Sequence, residues 1–85
     1  MNLEAISAEI LRQVQARGPG KSICPSEVAR ALEPETWRRL LGPVRQAAVI
    51  LAREGRVAIL RKGKVVAPDE MRGVIRLALP DMGGS

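Results

Sequence analysis

A mainly α fold closed by a small β-hairpin is what this sequence predicts, and three observations carry the prediction. The chain has 85 residues, room for one domain and one modest core. Apolar residues recur at helical spacing over Leu3–Arg17 and again over Trp37–Glu54. After Gly55 the period drops to two on either side of a Lys62-Gly63 turn signal.

The first helix is expected from about Leu3 to Arg17, because Leu3, Ile6, Ile10, Leu11 and Val14 fall on one face. Asn2 is the expected N-cap, Gly18-Pro19 the stop, and residues 18–21 a loop. The second helix begins at Pro25, whose missing N–H costs nothing at the first helical position. Cys24 is then held extended, and Ile23 and Val28 have the spacing of a hydrophobic staple. This short helix ends near Leu32.

From Trp37 to Glu54, Trp37, Leu40, Leu41, Val44, Ala47, Ala48 and Leu51 keep one stripe in phase. Pro43 interrupts it, so the segment reads as one kinked helix or two abutting ones jointed at Gly42-Pro43. Strands are expected over 56–61 and 64–67, with Pro68 ending the second. Residues 73–79 alternate and read as an extended segment on the core.

Helix, short helix, long helix, hairpin is the order of a winged helix–turn–helix. The expectation is α+β: three to four helices plus a two- or three-stranded wing, in a single domain over 1–80 with a tail over 81–85.

Ile23-Cys24-Pro25-Ser26-Glu27-Val28-Ala29-Arg30-Ala31-Leu32, with Trp37-Arg38, Val44-Arg45 and Gly73-Val74-Ile75-Arg76, resembles a family of short bacterial proteins. That family is a domain of unknown function held to be winged-helix, in which a proline often takes the place of Val74. The resemblance runs over about residues 5–79 and implies a fold, with no activity or binding residues attached.

Fourteen Lys and Arg against nine Asp and Glu leave a net charge of +5. Residues 36–68 hold eight basic side chains and only Glu54 against them, a net of +7, while the segments on either side are each at −1. Such a field attracts polyanions. On a continuous third helix, Arg39, Gln46 and Arg53 form a seven-residue repeat opposite the apolar stripe, flanked by Arg38 and Arg45. These side chains are able to meet phosphates and base edges in a major groove; the competing reading is a solvated helix face. Arg61, Lys62 and Lys64 bracket the hairpin turn, suited to a minor groove or a phosphate, or merely to keeping an edge strand soluble. Ser26, at the start of the second helix, reads as a phosphate contact or as ordinary capping.

The chain has one cysteine, Cys24, and no histidine, which leaves no internal disulfide, no metal-ligand set and no common general base. No enzyme, cofactor or small-molecule substrate is expected. Trp37, the only aromatic residue, reads as a core anchor. The start lacks a basic and then apolar leader, and no apolar run approaches about 20 residues, so a cytoplasmic protein with no membrane partner is expected. The expected function is a DNA-binding module, a candidate transcriptional regulator, with the third helix in the major groove of double-stranded DNA and the wing on the backbone. The alternative is a protein-interaction or homodimerisation module, favoured by Val49 and Ile50 beside the basic stripe and by Leu60, out of phase with Val57 and Ile59.

Overall fold

The computed structural model describes residues 2–80; the tail expected over 81–85 lies outside the described residues. The architecture is α+β, three α-helices and a four-stranded antiparallel sheet, an arrangement compatible with a winged helix.

α1 spans Leu3–Arg17, as its apolar spacing predicts. The Asn2 side chain accepts the Ala5 N–H at 2.7 Å, which caps the first turn. Gly18, at φ +88°, ends the helix in a conformation that disfavours side chains with a Cβ. Ile6, Ile10 and Val14 are buried, with Leu3 and Leu11 packed half-buried beside them.

α2 spans Pro25–Leu32, with Cys24 extended before it and Pro25 in the first helical position. Ile23 and Val28 are both fully buried, so the residues of the staple join the core from either side of the helix start. Glu27 turns back to accept the Cys24 N–H at 2.9 Å, half of a capping box. Ser22–Ile23 form a short strand, β1, where the sequence suggests only a loop and a residue before a cap. Two residues are too few to display a period of two, so the spacing could not reveal it.

The long helical segment is two elements. Trp37–Leu40 is a 3-10 helix, and α3 follows at once as Leu41–Arg53. The joint is therefore Leu40 (φ −91°, ψ −8°), two residues before the Gly42-Pro43 expected to form it. Pro43 instead falls within the first turn of α3, where backbone N–H groups have no helical partner to lose. Each 3-10 step turns about 20° further than an α step, so the continuous winding that aligned Arg39 with Gln46 and Arg53 does not hold across the joint.

β2 (Ala58–Arg61) and β3 (Lys64–Val65) form the expected hairpin, with shorter strands than the alternation predicts. Lys62 (φ +53°) and Gly63 (φ +80°) both have positive φ, the requirement of a two-residue type I′ turn. Val66 adds one more rung by donating to the Ile59 carbonyl at 2.9 Å. Pro68 then opens a second 3-10 helix, Pro68–Glu70.

The extended segment near the C-terminus becomes β4 (Arg76–Ala78) and inserts between β1 and β2. The sheet order is β1-β4-β2-β3, so the expected two- or three-stranded wing is part of a four-stranded sheet. Burial explains the insertion. Ile75 and Leu77 need cover, and Leu77 stands in register with both Ile23 and Ile59. A lone two-stranded ribbon is marginal in water, and the added strands supply its missing partners. One hydrophobic cluster joins residues of the three α-helices to Ile23, Ile59 and Leu77 of the sheet.

Candidate functional site

The fourteen cationic side chains divide into those the fold uses and those it leaves free. In the helical layer, Arg12 pairs with Glu9 and hydrogen-bonds it, and Arg17 reaches Glu27 at 3.0 Å. The hydrogen bond from Arg12 holds the Glu9 carboxyl below its usual range; burial opposes this and a bond from Gln13 assists it. Arg56 lies 3.6 Å from Glu54. Arg30 and Arg38 both stack on Trp37, at 4.3 and 4.6 Å from the ring centroid. Trp37 is thus half-buried at the core's edge and serves as a platform for two guanidiniums.

Arg45 is engaged in a different way. Its guanidinium donates to the Gly73 carbonyl at 3.0 Å and the Met71 carbonyl at 3.4 Å, tying the segment before β4 to α3. Arg76 donates to the Ser22 hydroxyl at 2.6 Å and the Ser22 carbonyl at 3.0 Å, bracing β4 against β1.

Seven cations make no ion pair, stacking contact or side-chain hydrogen bond among the described residues: Lys21, Arg39, Arg53, Arg61, Lys62, Lys64 and Arg72. All seven are exposed. Three of them, Arg61, Lys62 and Lys64, sit at the tip of the hairpin, with Arg61 and Lys64 in direct register across the turn. Arg72 joins Arg61 in a cleft of about 360 Å³ shared with Val66 and Glu70.

The residues singled out on the third helix therefore part company. Gln46 and Arg53 remain exposed on α3, with Ile50 (40% exposed) between them. Arg39 is exposed but belongs to the 3-10 turn, Arg38 stacks on Trp37, and Arg45 clamps backbone carbonyls. Ser26 lies at the second position of α2 and is not its cap; its hydroxyl donates to the Cys24 sulfur at 3.1 Å. The Glu27 carboxylate already holds the Cys24 N–H, so negative charge stands where a phosphate at this helix start would lie.

Arg72 and Arg76 were missed by sequence reasoning. Asp69, Glu70 and Asp81 give their segment a negative balance, and only the pairing of β4 beside β2 brings both arginines to the hairpin. Among the described residues no group of three acidic or thiol side chains is placed to hold a metal ion. Nor is any helix among them long and apolar enough to cross a membrane.

Comparison with protein families gives a match over residues 3–80, from the first residue of α1 to beyond β4, to a family described as "Protein of unknown function (DUF3253)". The chain belongs to this family. No curated protein matches it. In this DUF3253 chain the Ile23–Val28 stretch has a structural role. Ile23, Pro25 and Val28 are buried, and Glu27 caps the helix they enter.

Proposed function

We propose that this DUF3253 chain is a winged-helix module that binds double-stranded DNA without chemistry of its own, with the hairpin as its principal contact. One observation carries the reading. Arg61, Lys62 and Lys64 crowd a tight turn, and none has a carboxylate partner among the described residues. Holding three like charges there favours a polyanion that neutralises them. Arg72 adds a further cation beside Arg61, in a cleft that Glu70 also lines.

α3 has the secondary part. Gln46 and Arg53 are its exposed polar side chains suited to base edges or phosphates, and Arg39 adds a phosphate contact from the turn before it. With Arg45 and Arg38 engaged inside the fold, the helix offers a smaller reading surface than the sequence pattern implies. The wing therefore supplies affinity by backbone contact, and α3 supplies what base preference there is.

Fluorescence anisotropy with a random-sequence duplex across a salt series tests this. The wild type binds with a log affinity that falls linearly with log salt. Replacing Arg61, Lys62 and Lys64 together with Ala flattens that slope by about 2.7, at about 0.9 per lost phosphate contact. Replacing Gln46 and Arg53 has the smaller effect. Absence of binding at low salt, or an unchanged slope in the folded triple variant, overturns the proposal.

A further inference from the structure

The sheet has one face against the core and one turned away from it. Ile23, Leu77 and Ile59 form a cross-strand row on the buried face. Alternation turns their neighbours outward, so that Ser22, Ala78 and Ala58 make one outer row and Arg76, Leu60 and Val65 the next. An antiparallel sheet with a solvated face ordinarily carries polar side chains there. Here most of these positions are aliphatic, with Ala78 buried and Ser22, Ala58 and Leu60 half-buried. Val65 is 70% exposed, and Val74, at the foot of β4, is 84% exposed.

Two clefts open on this face, with Leu60 and Ser22 lining both. One, of about 220 Å³, is lined by Ala58, Leu60, Val65 and Ala78 together with Lys21. The other, of about 500 Å³, lies between the hairpin turn and Val74 and is edged by Arg61, Lys62 and Arg76. No carboxylate lines either cleft.

We infer that this outer sheet face is the docking surface for a segment of another protein that presents apolar side chains flanked by carboxylates. The charge pattern selects that occupant. A second copy of the chain would bring one cationic rim against another. A phosphate backbone would meet the cations but gain nothing from an aliphatic floor, whereas an acidic amphipathic segment satisfies both. Removing Leu60, Val65 and Val74 from water supplies the driving force, and the rim supplies orientation and on-rate. Arg61 and Lys62 are shared with the proposed DNA contact, and a test that alters only Leu60 and Val65 leaves these cations in place, so its failure is distinguishable from a failure of DNA binding.

The test pans a random-peptide library displayed on phage against the folded full chain, then against Leu60→Ser/Val65→Thr. Selected peptides share apolar positions flanked by Asp or Glu, and the double variant binds them about tenfold more weakly or worse. Amide shifts in the labelled wild-type chain, titrated with one selected synthetic peptide, map to Ala58, Leu60, Val65 and Ala78, a readout that does not depend on the variant folding. The inference is overturned by a library that yields no consensus, by a consensus without acidic residues, or by peptides that bind the folded variant equally well. It is also overturned if the wild type forms a dimer that the variant loses, or if a DNA duplex or anionic vesicles shift these resonances and the selected peptide does not.

Discussion

In the helical layer Arg12 pairs with Glu9 and Arg17 with Glu27, whereas in the β2–β3 hairpin Arg61, Lys62 and Lys64 make no ion pair among the described residues. The Arg17–Glu27 pair joins α1 to the start of α2, and Gln13 adds a bond to the Glu27 carbonyl at 3.2 Å. Charge there orients helices that a shared core already holds together. At the hairpin the same residue types orient nothing within the fold. A cation's surroundings, more than its presence in a basic segment, therefore distinguish scaffold from surface.

The largest expected effect sharpens this contrast. Ile10 is fully buried on α1, and Ile10→Ala should cost about 2–5 kcal/mol of stability. Replacing Arg61, Lys62 and Lys64 with Ala should change stability by only about 0.5 kcal/mol per site or less, because each is exposed and unpaired. Urea unfolding followed by Trp37 fluorescence measures both. A triple hairpin variant as unstable as Ile10→Ala would mean that the tip belongs to the scaffold after all.

Arg45 tests the boundary between the two regions. Arg45→Met keeps the apolar stem and removes the donors to the Met71 and Gly73 carbonyls, at an expected cost of about 1–3 kcal/mol. Hydrogen exchange should quicken over residues 71–75 and leave α1 unchanged. If the variant keeps full stability and loses DNA affinity instead, Arg45 belongs to the interface, as its place beside the basic stripe implied.

The same distinction explains how much was legible in the sequence. α1 and α2 are readable because local rules and tertiary packing agree there: Asn2, Gly18 and Pro25 mark boundaries of apolar stripes that do face the core. The Lys62-Gly63 turn is readable because Gly63 suits one of its two positive-φ positions, while Lys62 at φ +53° carries no such signal. β1 and the insertion of β4 are not, since pairing between Ile23 and Leu77 depends on residues far apart in the chain. The joint at Leu40 is hidden for a related reason: a 3-10 turn and an α-helix place the same apolar residues on the core. Among the candidate site residues, the hairpin cations could be identified because a turn tip is exposed by construction. The fates of Arg38 and Arg45 depended on Trp37 and on two distant carbonyls, which no periodicity reports.

The smallest effect is a pH dependence confined to the helical layer. Glu9 is held below its usual range chiefly by the hydrogen bond from Arg12, with burial working the other way. A carboxyl whose folded pKa is depressed adds stability above its unfolded pKa and loses it as pH falls through the folded value. Wild-type stability should therefore decline on acidification through the carboxylate range, and Glu9→Gln should show a shallower acid limb from a lower neutral starting point. The triple hairpin variant should follow the wild-type acid limb, because its three cations make no ion pair with a carboxylate among the described residues. Thermal unfolding at a series of pH values separates the two. An acid limb flattened by the hairpin variant would show that its cations do act on a carboxylate, and that the hairpin's charges are not free.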